Sequence, residues 1–262
     1  MSIHTFESMG TTVSIRLAHD RDDEPRAEQA LAEVRGAFDT LDRRFSLYDD
    51  DSELSRIARG AAALTGAGDA VLGVYADALA WRDRTNGAFT PHRPDGVLDL
   101  SGLVKALAIE RAGRVLAGHD FPVFSVNAGG DILTSGVPRQ GAWITGIVDP
   151  ADRAALLTAV RLDPGLPAMA TSGTGERGQH IWRRPDTDTS FRQATVIAAD
   201  IVTADVLATA IIAGGRATLD LVTDTFPVAV LVELDDGTLR GTPRFRGLVA
   251  GHGLGRETAK EA

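Results

Sequence analysis

The chain has 262 residues, a net charge of −9 from 27 Lys and Arg against 36 Asp and Glu, and 44% hydrophobic residues, the proportions of a globular protein long enough to bury a large core. Its basic residues are scattered instead of gathered in a stripe, which argues against a nucleic-acid partner. With no cysteine, disulfides, thiolate nucleophiles, iron–sulfur clusters and thiolate zinc sites are excluded, so a metal would be held by oxygen or imidazole, with Mg²⁺ or Ca²⁺ ahead of zinc.

The first residues, Met1 to Glu7, carry no basic stretch followed by an apolar one, and no run reads as a span of about 20 apolar residues. The expectation is a cytoplasmic protein without membrane insertion. Residues 11–17 alternate Val13, Ile15 and Leu17 with polar side chains, the period of a half-buried strand, behind a tight turn at Met9-Gly10. From 24 to 45 the apolar residues Ala27, Leu31, Val34, Phe38, Leu41 and Phe45 recur at steps of four and three, which predicts a long amphipathic helix covering a sheet. A polar loop follows at 46–51, with Ser52 as N-cap of a short helix to Ile57. Asp69 begins a second long helix through Val71, Leu72, Tyr75 and Leu79, stopped by Asn86-Gly87.

Asp95-Gly96 is a turn signal and 97–100 a short strand. Ser101 begins a helix with Leu103, Leu107, Ala108, Ala112, Val115 and Leu116 on its apolar side and Gly118 beyond its end. Residues 123–126 are apolar enough for a central strand. They run into Asn127-Ala128-Gly129-Gly130-Asp131, where the glycine pair signals positive φ or a close backbone approach. Strands follow at 143–148, 155–162, 168–171 and 195–198, with a polar loop at 183–193.

Residues 201–210 then leave a strand and become a helix. With Thr203 as N-cap, Asp205 falls in the first turn, where the positive end of the helix dipole favours an anionic group, and Thr209 lies one turn above it on the same side. A carboxylate and a hydroxyl stacked in this way can share a small hard cation, although both are also ordinary helix residues. Gly214-Gly215 closes this helix. A further helix at 216–223, a strand at 228–232 and a hairpin turn at Asp235-Asp236-Gly237 complete the pattern, with 252–262 as a frayed tail. Helices and strands alternate early and strands dominate late. The fold class is therefore α+β, a layered mixed or antiparallel sheet with packed helices, forming one domain over 1–251.

Several stretches in order carry a resemblance: Met-Gly-Thr at 9–11, Phe-Ser-Leu-Tyr with Asp51-Ser52-Glu53-Leu54 at 45–54, Asn-Gly-Ala-Phe at 86–89, Asp-Leu-Ser-Gly-Leu-Val-Lys at 99–105, Val-Asn-Ala-Gly-Gly-Asp at 126–131, Thr-Ser-Gly at 171–173, His180-Ile181, and Ala-Asp-Val-Leu-Ala-Thr at 204–209. The set resembles the FAD:protein FMN transferase family, the ApbE-like proteins, from Met9 to about Leu221. The resemblance implies a T-fold-related enzyme that binds FAD with Mg²⁺ and cleaves the pyrophosphate. FMN would then pass, as a phosphoester, to a threonine of an acceptor flavoprotein, with release of AMP. It implies Asp205, Thr209 and the carbonyl of Gly102 as metal ligands, all oxygen donors as Mg²⁺ requires. It also implies flavin contacts at Met9, Tyr48, Ala88, Phe89, Thr90 and Trp182, nucleotide contacts at Asp99 and Lys105, and His180 as the base.

The chain departs from the family pattern around the pocket. Thr90 stands where an aspartate is usual, and a short link joins Thr90 to Asp99 where other members carry a longer Leu-Trp-Gly-containing insertion. The histidine motif is reduced to His180-Ile181-Trp182-Arg183-Arg184-Pro185, and Ala106 replaces a common glycine. A divergent transferase is the first expectation, and an FAD-binding protein without transferase activity the second. A ligand-free interaction module would leave Asp205, Thr209 and residues 127–131 without a reason.

Overall fold

A computed structural model describes residues 1–173, 182 and 190–251. The chain divides into two compact units, Met1–Gly136 and Val137–Ala262.

The first unit begins with the hairpin β1 (Ser2–Ser8) and β2 (Thr11–Leu17), continues through α1 (Glu24–Phe45), α2 (Glu53–Ala58), α3 (Asp69–Arg84) and α4 (Ser101–Gly118), and ends with the hairpin β3 (Phe124–Ala128) and β4 (Asp131–Ser135). Its strands lie antiparallel in the order β1-β2-β3-β4. The predicted period of β2 places Val13, Ile15 and Leu17 at 0% exposure. Strand β1 was not read from the sequence: its inward positions are Ser2, His4 and Phe6, while Ile3 points outward at 63% exposure. The alternation is real, but its inner face is largely polar, so hydrophobicity does not reveal it. Phe6 meets Phe38 of α1 edge to face at 5.5 Å.

Helix α1 has the expected bounds, and its buried stripe runs Ala27, Ala30, Val34, Ala37, Phe38 and Phe45. Leu31 and Leu41 are half-buried. The helix packs on α4, and His119 Nε2 at the end of α4 lies 3.0 Å from Glu33 Oε2. Hydrogen bonds from His119 and Gln29 hold the Glu33 carboxyl below the usual range. Stability from this contact is therefore present above the ordinary Glu pKa and is lost as pH falls through the lowered one. Ser52 caps α2 as expected, its hydroxyl accepting from Ser55 N at 2.9 Å. The short strand expected at 97–100 is instead a single bridge between His92 and Leu98.

Gly136 closes the unit at φ +60°, where an added Cβ would stand 2.5 Å from the Pro122 carbonyl oxygen. Left-handed strain costs an L-residue about 1–2 kcal/mol, and the clash is with backbone that cannot swing away. Gly136→Ala is expected to lower unfolding free energy by about 2–3 kcal/mol in urea titration; Gly10→Ala in the open β1–β2 turn meets no atom within 4 Å and should lose only the strain.

The second unit carries the ribbon β5 (Trp143–Val148) and β6 (Leu156–Leu162), then β7 (Ala168–Gly173), β8 (Phe191–Ala198), α5 (Ile201–Thr225), β9 (Ala229–Leu234), β10 (Leu239–Gly241) and α6 (Pro243–Arg246). Strands β7, β8, β9 and β10 pair antiparallel in that order, and α5 packs on β7 and β8. Part of the loop expected at 183–193 is strand: Phe191 is 2% and Gln193 7% exposed, the latter donating its amide to Val148 O at 3.2 Å. Residues 183–189 and the expected tail at 252–262 lie outside the described residues.

Helix α5 runs through the predicted stop, yet Gly215 at φ 64°, ψ −147° breaks it there. Contrary to the sequence expectation, this helix is long and apolar enough to cross a membrane by length and composition alone. Here its Val206, Leu207, Ile211 and Ile212 are 0–1% exposed, as in a core helix. Each such Leu or Ile stabilises by about 1.5–3 kcal/mol when buried.

Candidate active site

In the second unit, Asp200 and not Thr203 caps α5. Its Oδ1 accepts from Thr203 N at 2.7 Å and its Oδ2 from the Thr203 hydroxyl at 2.8 Å. The helix thus starts three residues earlier than the sequence suggested, because Asp200 answers both the backbone N–H and the hydroxyl of Thr203. Asp205 becomes the fifth helical residue, in the second turn, and is only 4% exposed. Thr209, one turn on, is half-buried, and its Oγ1 lies 3.1 Å from Ser172 Oγ on β7. The neighbouring Thr171 pairs across to Thr195 of β8 at 2.9 Å. The Thr-Ser-Gly stretch therefore sets a hydroxyl against Thr209, which makes Ser172 a candidate that the sequence alone leaves unassigned.

In the first unit, Asn86 and Gly87 take φ of 51° and 79° and turn the chain out of α3. Ala88 and Phe89 follow at 4% and 5% exposure, with Phe89 N donating to Thr85 Oγ1 at 3.1 Å. The Phe89 ring lies against Gly102, where a Cβ would come within 3.2 Å of it. A side chain at Gly102 would make the Phe89 ring give by a few tenths of an ångström. The short link between Thr90 and Asp99 is closed by its own hydrogen bonds: Asp99 N to Pro91 O at 2.8 Å, Arg93 N to Val97 O at 2.9 Å, and His92 N to Thr90 Oγ1 at 3.2 Å. Asp99 Oδ1 accepts from Ser101 N at 2.9 Å, at the start of α4.

The glycine pair 129–130 has φ of 61° and 94° and forms the β3–β4 turn, with Gly130 N donating to Asn127 Oδ1 at 3.0 Å. Asp131, at 0% exposure, forms an ion pair with Lys105. Met9 has φ 51° and donates its N–H to Asp42 Oδ2 at 3.2 Å. Tyr48 is fully exposed. Trp182 is half-buried, and His180 lies outside the described residues.

Among the described residues no three His, Asp or Glu side chains gather as a metal centre. A cation at Asp205 would rest on one carboxylate with hydroxyl or carbonyl oxygens, a donor set suited to Mg²⁺ and not to zinc.

A family model described as the ApbE family matches residues 9–93 and 90–232. The chain belongs to the ApbE family. A comparison with curated proteins finds no match. Among solved structures, the chain is similar to flavin transferase ApbE from Vibrio cholerae at 22% identity and TM-score 0.72, over 94% of this chain and 98% of that one. It is similar to the ApbE protein from Thermotoga maritima at 20% identity and TM-score 0.77, over 95% and 99%. Pseudomonas stutzeri flavinyl transferase ApbE in its apo form gives 19% identity and TM-score 0.76, over 95% and 98%. The α+β fold is thus that of ApbE proteins.

Within this ApbE-family chain the expected site residues fall into separate local groups. Ala88, Phe89, Thr90, Asp99 and Gly102 belong to one stretch of the first unit, where the Phe89–Gly102 contact ties its two ends together. Asp205 and Thr209 belong to the second unit, with Ser172. Lys105, expected to face a phosphate, is engaged by the buried Asp131. The Asp131 role could have been suspected from its glycine-turn motif, but not its partner.

Proposed function

We propose that this ApbE-family protein is a Mg²⁺-dependent FAD:protein FMN transferase, acting on a threonine of an acceptor flavoprotein and releasing AMP. The observation that carries this reading is the buried Asp205 carboxylate one helical turn below Thr209, whose hydroxyl is oriented by Ser172. A carboxylate and a hydroxyl one helical turn apart are oxygen donors of the kind a hard cation takes, so Asp205 and Thr209 are the proposed ligands; the Gly102 carbonyl is a further ligand that the family resemblance implies. Bound there, Mg²⁺ would neutralise diphosphate charge.

The remaining roles rest on this chain's own residues. Ser172 holds the Thr209 hydroxyl in place, Gly102 admits the Phe89 ring, and the 90–99 link is pre-folded by its own hydrogen bonds. Met9, Tyr48, Ala88, Phe89, Thr90 and Trp182 are the proposed flavin contacts, and Asp99 and Lys105 the proposed nucleotide contacts. His180 is the proposed base that takes the acceptor threonine's proton. The protein would work as a single domain over 1–251, in the cytoplasm.

A second reading, FAD binding without transfer, is favoured by the engagement of Lys105 with Asp131, which occupies a cation that phosphate would otherwise attract. The experiment is incubation with FAD, Mg²⁺ and a threonine-containing acceptor peptide. AMP release with a covalent flavin on the peptide supports transfer. Flavin co-purification without AMP release supports the second reading, and neither flavin binding nor AMP release overturns both.

A further inference from the structure

Away from these residues, the first unit builds a second polar cluster on its outermost strand. Ser2 and His4 lie two residues apart on β1 and so share one face. Ser2 Oγ stands 2.8 Å from His19 Nε2 and 2.8 Å from His4 Nε2. On its other ring nitrogen, His19 Nδ1 lies 3.1 Å from the Asp20 carbonyl oxygen and 3.5 Å from Glu24 Oε2 at the start of α1. The His19 side chain is 5% exposed and its ring stacks edge-on against Phe121 at 6.3 Å, so its orientation is held by packing as well.

The partners determine the protons. Both groups at Nδ1 are acceptors only, so in the neutral imidazole Nδ1 carries the hydrogen and Nε2 the lone pair. The Ser2 hydroxyl, which also has the Leu17 carbonyl oxygen as an acceptor at 3.4 Å, then donates to His19 Nε2 at the shorter 2.8 Å. Its single proton being committed, Ser2 Oγ accepts from His4, which must carry its hydrogen on Nε2. The result is a directed chain, His4 N–H to Ser2 O–H to His19, anchored at Nδ1 by the Asp20 carbonyl with the Glu24 carboxylate beside it. A hydroxyl aimed at an imidazole that is itself oriented by a carboxylate is the arrangement of an activated nucleophile. Because β1 pairs only with β2, the strand's other edge has no strand beside it among the described residues, and Ser2 is half-buried rather than sealed.

We propose that Ser2 is a nucleophilic serine that takes acyl groups from activated carboxylic esters, with His19 as base and Glu24 as its positioning residue. Ser2 Oγ forms a bond to the acyl carbon while its proton passes to His19 Nε2. The bond from that carbon to the leaving oxygen breaks, and the His19 proton goes to the departing alkoxide. Water then attacks the acyl-serine, giving its proton to His19; the proton returns to Ser2 Oγ as the carboxylic acid leaves.

The test is labelling of the full chain with a fluorophosphonate, mapped by peptide mass spectrometry, together with hydrolysis of p-nitrophenyl acetate. Ser2 is expected to carry the label, and Ser2→Ala to lose both label and ester hydrolysis while keeping its flavin chemistry. His19→Gln should slow labelling on the order of 100-fold. Glu24→Ala should slow it about tenfold, with Glu24→Gln, which still offers Nδ1–H an acceptor, restoring most of the rate. A wild-type chain that is not labelled, a label on another residue, or equal labelling in His19→Gln with unchanged circular dichroism would overturn the proposal.

Discussion

Asp205→Asn is expected to abolish Mg²⁺-dependent AMP release from FAD, a loss on the order of 10³-fold or more if the carboxylate neutralises the cation that the diphosphate needs. The same substitution keeps the size of the side chain and removes only the charge that a cation would meet. Read as a first-turn residue, Asp205 would contribute about 1 kcal/mol to its helix through the dipole. In the second turn and 4% exposed, it lies beyond the first turn in which the dipole acts. Metal binding is read separately, in a thermal melt. Wild-type protein should gain about 2.7 kcal/mol at Mg²⁺ one hundredfold above its Kd, and Asp205→Asn should gain none. An equal Mg²⁺-induced shift in both proteins, or AMP release surviving the substitution, would exclude Asp205 as a ligand.

Lys105→Met is expected to have the largest effect on the fold. Its amine is ion-paired to Asp131, whose side chain is 0% exposed while that of Lys105 is 20% exposed. Removing the cation from a buried carboxylate costs about 3–5 kcal/mol, and partial exposure of Lys105 brings the expected loss toward 3. Against a total stability of about 5–15 kcal/mol, that is a substantial fraction, visible as a lower urea midpoint. Adding Asp131→Asn should recover at least half of the loss, since the buried charge is removed with its partner. The double variant also tests the nucleotide role: with the fold restored, a KM for FAD that stays raised assigns Lys105 to the phosphate as well. An unchanged KM assigns it to Asp131 alone.

How much of this was legible varied with the kind of signal. The 24–45 helix and the Ser52 cap were readable because local periodicity and a local hydrogen bond define them. Strand β4 is hidden in the sequence because Ile132 and Leu133 are adjacent, so the five-residue strand has no clean alternation, and the preceding glycine pair marks only a strand end. Both Asp200 and Thr203 are good N-cap residues; which one caps α5 depends on the hydrogen bonds that Asp200 makes. Gln193 reads as loop because it is polar, yet it is buried with its amide on a carbonyl of β5, a partner no local window contains.

The order of motifs from Met9 to Thr209, by itself, determined family membership, and the apolar periods determined the main helices, because both are properties of neighbouring residues. Tertiary packing decided which charged and hydroxyl groups are withdrawn from water. Asp131 and Asp205 are buried while Asp49, Asp50 and Asp51 are exposed, although all five are the same residue type. Burial depends on what distant segments bring against a side chain, as α4 brings Lys105 to Asp131 and β7 brings Ser172 to Thr209.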